Sequence, residues 1–165
     1  MPDLQLATPP RRILAVKTHA LGDVLMVTPA LRALRNKFPD AHIEFLTGKW
    51  SAPAVKNNPL INDLITIDDH ALHSKSPGFL LNLVKGLRRR KFDMAVVFQP
   101  SLAIQMLIRL AGVRQIAAPV TRRFSFPVTF RSSWRVSRDR YVVEDFLDVV
   151  RAVGADGDEQ GLVYG

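Results

Sequence analysis

Lys17-Thr18-His19-Ala20-Leu21-Gly22-Asp23 gathers an ammonium, a hydroxyl, an imidazole and a carboxylate into seven consecutive residues. A carboxylate can take the proton of a hydroxyl as that oxygen attacks an electrophile, and the other three groups can hold a polar or anionic ligand. Asp23 has two readings from its surroundings alone. It can cap the apolar-periodic segment that begins at Val24, or it can act as a general base, and one residue can do both. Gly22 suits a close approach to the helix start or a positive φ, but a single glycine falls short of the G-x-G-x-x-G dinucleotide fingerprint. Lys17 either faces a ligand or ends a strand in solvent. Thr18 and His19 are loop residues able to hydrogen-bond a polar ligand or only to touch solvent.

The flanking segments say what must position these groups. Ile13 to Val16 is an unbroken apolar run, the pattern of a strand buried on both faces. After the loop, Leu25, Val27, Leu31, Leu34 and Phe38 recur near helical spacing, opposite Arg32, Arg35 and Lys37. Pro29 interrupts them: either a helix capped by Asp23 kinks there, or Thr28 is a cap and Pro29 the first helical residue. His42 to Thr47 and Asp63 to Ile67 read as strands, with a short helix from Ser51 to Lys56 between them. Asp68-Asp69 closes the later strand. Phe79, Leu80, Leu83, Val84 and Leu87 form one stripe of a helix over 77–90, with Arg88, Arg89 and Arg90 in its last turn. Asp93 to Phe98 is a central strand. Gln99-Pro100-Ser101 then leads into a helix through Ile104, Leu107, Ile108 and Ala111 that Gly112 ends, and Gln115 to Ala118 is a fifth short strand.

This alternation predicts an α/β protein with a Rossmann-like parallel sheet and helices on both faces. Ligands of such sheets bind at the carboxyl ends of the strands. That edge would gather the 18–23 loop, the turn at Asp68 and the turn at Gln99, which makes Gln99 and Ser101 candidate ligand contacts by position. Residues 119–138 show no clean period and read as an irregular loop. Its Arg122, Arg123, Arg131 and Arg135 carry forks suited to phosphates and carboxylates, while Phe124, Phe126, Phe130 and Trp134 either cover a core edge or face a further lobe. A last amphipathic helix spans 139–153 and stops at Gly154, and 155–165 resembles a linker.

At 165 residues, with 47% hydrophobic and 23% charged residues, the chain has the size and balance of one soluble domain. Without cysteine it has no disulfide framework, thiolate metal site or thiol nucleophile. Neither a signal peptide nor a membrane-spanning stretch is predicted. The net charge of +8 is unevenly placed: twelve Lys/Arg against two Asp/Glu lie between Gly86 and Arg140. Such a stretch attracts anions, whether nucleic acid, a phosphorylated glycolipid or an acidic membrane. No Asp-x-Asp motif is present, and no metal or cofactor is expected.

The run from Arg12 through Lys17-Thr18-His19-Ala20-Leu21-Gly22-Asp23-Val24 to Thr28-Pro29-Ala30-Leu31, continued by Phe38-Pro39-Asp40-Ala41, resembles the amino-terminal signature of the bacterial heptosyltransferases, the family 9 glycosyltransferases of lipopolysaccharide core assembly. The resemblance covers essentially the whole chain. It implies the amino-terminal, acceptor-binding lobe of a two-lobed GT-B enzyme over 1–154, with 155–165 starting the interdomain linker and the carboxyl-terminal donor-binding lobe absent. It favours one longer helix kinked at Pro29. It also implies inverting transfer of heptose from ADP-heptose to a Kdo-containing core acceptor, with Asp23 as the base. Lys17, Thr18, His19, Gly22, Gln99, Ser101, Arg122 and Arg123 would then be acceptor contacts. Family members often carry Ser-Ser where this chain has Thr18-His19, and a small or polar residue where it has Phe98. The implied setting is the cytoplasm, at the inner-membrane surface, with an anionic glycolipid as partner and the sugar nucleotide held by the other lobe. The chain alone would be inactive and bind donor poorly. The alternatives are a family 9 transferase with another sugar or acceptor, a nucleotide-binding α/β domain without transferase activity, and a non-enzymatic nucleic-acid-binding module. The nucleic-acid reading lacks a helix-turn-helix, zinc or RNP pattern, and no nucleic-acid partner is expected.

Overall fold

The computed structural model describes residue 6 and residues 8–120, 126–133 and 141–156. Among them, six strands form one parallel sheet: β1 (Arg12–Val16), β2 (His42–Gly48), β3 (Asp63–Ile67), β4 (Met94–Val97), β5 (Gln115–Val120) and β6 (Phe130–Ser133). Their order is β3-β2-β1-β4-β5-β6. The helices are α1 (Leu21–Met26), α2 (Thr28–Lys37), α3 (Asp69–Ser74), α4 (Pro77–Arg90), α5 (Leu102–Leu110) and α6 (Val142–Arg151), with one turn of 3₁₀ helix at Ala52–Ala54.

The period of two in each strand divides the core. Ile13 and Ala15 of β1 face a layer built on α1, α2 and α6, and Leu14 and Val16 face a layer on α3, α4 and α5. All four are fully buried. The sheet is therefore wound on both sides, as expected. The chain moves outward from β1 through β2 to β3, returns to β4 on the other flank of β1, and continues to β5 and β6. The β1/β4 boundary is thus the point where strand order reverses, with helices leaving toward opposite faces and a crevice open between them.

Local chemistry explains several boundaries, and corrects some expectations. The segment after β1 is neither one helix capped by Asp23 nor a helix starting from a Thr28 cap. The N-cap of α1 is Ala20, and α1 and α2 are separate helices meeting at Val27. Pro29 has no N–H for the carbonyl of Leu25, and the Thr28 hydroxyl donates to that carbonyl instead. Val27 N–H still bonds Asp23 O, and Leu31 N–H bonds Val27 O, so backbone hydrogen bonds continue on both sides of the break.

Ser51 to Lys56 yields only the single 3₁₀ turn. Asp68 does more than close β3: its carboxylate accepts the Ala71 N–H at 3.2 Å and caps α3, an unforeseen helix. That bond holds its carboxyl below the ordinary range. Residues 119–138 contain strand β6, paired in parallel with β5 from Ala117↔Phe130 to Val120↔Ser133, rather than one irregular loop. Phe130 belongs to the core, whereas Phe126 is exposed with the Arg109 guanidinium 5.9 Å from its ring centre. The last helix is described from Val142, three residues into its expected span.

Candidate functional site

The crevice holds a cavity of about 710 Å³ at the carboxyl ends of β1 and β4. Lys17, Thr18, His19 and Asp23 enter it from the β1 side, Gln99 and Ser101 from the β4 side. Six of the nine sequence candidates therefore meet at one place, although they lie up to 84 positions apart in the chain.

The loop is pinned at its base by three bonds. Lys17 N–H donates to Leu46 O at 3.1 Å, Gly48 N–H donates to Thr18 O at 2.9 Å, and Thr18 N–H donates to Gln99 Oε1 at 2.8 Å. Beyond these anchors Ala20 takes φ 64°, a positive value without a glycine, at the entry to α1. The positive φ that Gly22 was one candidate to supply falls on Ala20 instead. Gly22 is an ordinary helical residue with open space where a Cβ would stand, and it does not line the cavity.

Asp23 lies in the first turn of α1, three residues after the N-cap, and is not the cap itself. Its side chain is 40% exposed. Oδ2 faces Lys17 Nζ at 3.4 Å, and Oδ1 has no partner among the described residues. Lys17 is no exposed strand end: its side chain is 4% exposed. Desolvation lowers the ammonium's pKa, and the charge and hydrogen bond of Asp23 oppose that shift without cancelling it. A buried cation thus holds one oxygen of a half-exposed carboxylate that lines the cavity and leaves the other without a partner among the described residues.

Thr18 and Gln99 are almost wholly buried. The Gln99 amide is occupied by Thr18, with Nε2 3.0 Å from Thr18 Oγ1, so it braces the loop rather than presenting a free group. Ser101 lines the cavity, but its hydroxyl oxygen caps α5 by accepting the Ile104 N–H at 3.4 Å. Phe98 points the other way, into the core, packing edge-on against Phe146 with ring centres 5.8 Å apart. The core thus accounts for this departure from the expected small or polar residue. Arg122 and Arg123, like Arg135, lie outside the described residues. Among the described residues, no three potential metal-ligating side chains stand together.

Sequence reasoning missed the far wall. His73, Lys75 and Leu72 come from α3 and the turn after it, and Ala103, Met106, Leu107 and Leu110 from α5. A signal for the α5 wall was present: those four residues are spaced i, i+3, i+4, i+7, a second apolar stripe beside the sheet-facing Ile104, Ile108 and Ala111. Helix α3 has only six residues, too short for its periodicity to stand out.

Comparison with known proteins adds the following. No family model matches the chain. It is 31% identical over 144 residues to lipopolysaccharide heptosyltransferase 3 of Escherichia coli, an alignment covering 82% of this chain and 41% of that protein. Among solved structures, a family 9 glycosyltransferase of Veillonella parvula superposes with TM-score 0.81 at 21% identity, covering 98% of this chain and 47% of that one. The E. coli ADP-heptose lipopolysaccharide heptosyltransferase II superposes with TM-score 0.72 at 19% identity, covering 93% and 45%. The structural likenesses establish the fold. The chain spans about half the length of the proteins it matches.

Proposed function

The chain belongs to the heptosyltransferase-like family 9 glycosyltransferases, and on that footing we propose that it is the acceptor-binding, base-supplying lobe of an inverting heptosyltransferase. The observation that carries the reading is Asp23: a half-exposed carboxylate at the switch-point cavity, one oxygen held by Lys17 and the other unengaged. In the reaction, Oδ1 accepts the proton of an acceptor hydroxyl as that oxygen attacks the anomeric carbon of the donor. The bond from that carbon to the diphosphate breaks on the opposite face, and the nucleoside diphosphate departs with the electron pair. Attack from the face opposite the leaving group inverts the anomeric centre.

The donor is ADP-heptose, held by a second lobe that closes over the crevice, and the acceptor is a Kdo-containing lipopolysaccharide core precursor. Lys17 and Lys75 give the cavity a positive character suited to the carboxylates of such an acceptor. Residues 1–154 form the acceptor lobe and 155–165 begin the linker. The protein works in the cytoplasm at the inner-membrane surface. Two features support a peripheral seat there: the exposed Leu81, Leu102 and Leu110, and the cations Lys85, Arg88 and Arg89, with no carboxylate between Asp69 and Asp93. No helix among the described residues is long and apolar enough to cross a membrane.

The test is single-turnover transfer from ADP-heptose to a Kdo-terminated acceptor by the two-lobed protein carrying this chain, native and Asp23→Asn. Loss of the general base predicts a fall in the chemical step of roughly 10²–10⁴-fold, with acceptor binding and folding retained. Full activity in Asp23→Asn removes Asp23 from the mechanism.

A further inference from the structure

Helix α5 is apolar on two faces. Ile104, Ile108 and Ala111 belong to the core beneath the sheet. Ala103, Met106, Leu107 and Leu110, one stripe further round, lie outside that core, half-buried or exposed, and line the cavity. The outer stripe of a helix covering a sheet ordinarily carries polar and charged residues, and a helix apolar on more than one face is covered by something. The single charged residue of α5, Arg109, does not line the cavity. Leu72 of α3 and Leu80 of α4, both half-buried, add to the same apolar lining.

The charges of the cavity are gathered elsewhere. Its lysines, Lys17 and Lys75, come from the β1 loop and the turn after α3, and Asp23 from α1; none comes from α5. Ser101, the N-cap of α5, marks the end of that helix beside the β4 turn. From Ala103 to Leu110 the stripe runs about 10 Å along the helix axis, at about 1.5 Å per residue, and it ends at Leu110, which is 61% exposed. The cavity, about 710 Å³ and so of ligand size, thus has a charged head and an apolar arm that leads from it to the surface. A wholly polar sugar leaves the arm wet, whereas a hydrocarbon covers it.

We propose that the α5 wall is a hydrocarbon subsite: the acceptor is taken as an amphiphile, its anionic sugar head at the Asp23 end and an alkyl or acyl chain laid along Ala103, Met106, Leu107 and Leu110. The arm opens into the same cavity as Asp23, so what fills it is joined to what meets Asp23, which favours a chain of the ligand over a side chain of a second lobe. The identity of the head rests on the acceptor-lobe reading above; the subsite itself does not.

The test is binding of alkyl glycosides to the 165-residue chain, below the concentrations at which they form micelles, in two series with methyl, butyl and octyl chains: Kdo glycosides and glucosides. Affinity is expected to rise about two- to fourfold for each added methylene, the scale of hydrocarbon leaving water. Met106→Gln and Leu110→Gln should flatten that rise and leave the Kd of the methyl Kdo glycoside unchanged; Leu110 is exposed, so its variant keeps the fold. Leu102→Gln, at an exposed position of the same helix that does not line the cavity, should leave the rise intact. An affinity independent of chain length in both series, or a rise that Met106→Gln and Leu110→Gln reduce no more than Leu102→Gln does, overturns the subsite. So does a rise that disappears in the two-lobed protein, where the second lobe would then cover the wall. A rise in both series with no preference for the Kdo head defeats the acceptor reading and leaves the subsite standing; a preference for the Kdo head without a rise does the reverse.

Discussion

Lys17 carries a charge where only 3% of its surface reaches solvent, and its counterion is Asp23, the carboxylate proposed as the base. Burial is the larger influence on it and lowers its pKa from 10.5, against the opposing pull of Asp23. The linkage sign follows. Between the lowered folded value and 10.5 the unfolded chain binds more protons than the folded one, so stability rises with pH through that window. Urea unfolding followed as the pH is raised toward 10.5 should show this rise in the native chain and a weaker one in Lys17→Met. Equal slopes would mean that Lys17 is not desolvated in solution. Lys17→Met should also lower transfer, because Oδ2 of Asp23 loses the cation that orients it. A residue that carries an unfavourable burial next to a reacting group is the usual compromise of stability with activity.

At the scale of elements, the α1–α2 junction shows how a Thr-Pro pair interrupts a helix. Pro29 removes a donor, and Thr28 replaces it from its side chain. Thr28→Val keeps the shape and orphans the Leu25 carbonyl, so it should cost about 1–2 kcal/mol in urea unfolding. In a Pro29→Ala background the carbonyl regains a backbone N–H, and the cost of Thr28→Val should shrink; equal costs in both backgrounds would refute the coupling. The strands were the most legible elements, because Ile13 to Val16 and Met94 to Val97 are short unbroken apolar runs that only a doubly covered sheet accommodates. β6 was hidden because Phe130-Arg131-Ser132-Ser133 holds one large apolar residue. Its place in the sheet comes from pairing with β5, which no local pattern records. The site was half legible. Residues of the 17–23 loop and Gln99 could be placed at one edge by topology alone. The bracing role of Gln99, the burial of Lys17 and the wall from α3 depend on contacts between segments far apart in the chain.

For the molecule as a whole, the two edges of the sheet do different work. Toward the amino ends of the strands, fully buried Glu44 on β2 is held by Arg12 from β1 and Arg90 from the last turn of α4, and Arg90 also reaches Asp63 of β3 at 3.3 Å. This network ties three strands to a helix and faces no part of the cavity. Glu44→Gln leaves two cations against a neutral group, and because both arginine side chains are over a third exposed the expected cost is about 1–3 kcal/mol, below that of a fully buried pair. Transfer per folded molecule should be unchanged; a loss of activity without loss of stability would show that the two edges are coupled. The carboxyl edge instead keeps a buried lysine, a positive φ at Ala20 and an open cavity.

Because acceptor recognition is the part proposed for this chain, the most direct measurement is a titration of the labelled chain with a Kdo-terminated acceptor and, separately, with ADP-heptose. The account predicts saturable shifts at Lys17, Thr18, His19, Asp23 and the α5 wall with the acceptor, and little or none with the sugar nucleotide alone. Binding of ADP-heptose at these residues, with no response to the acceptor, would contradict it.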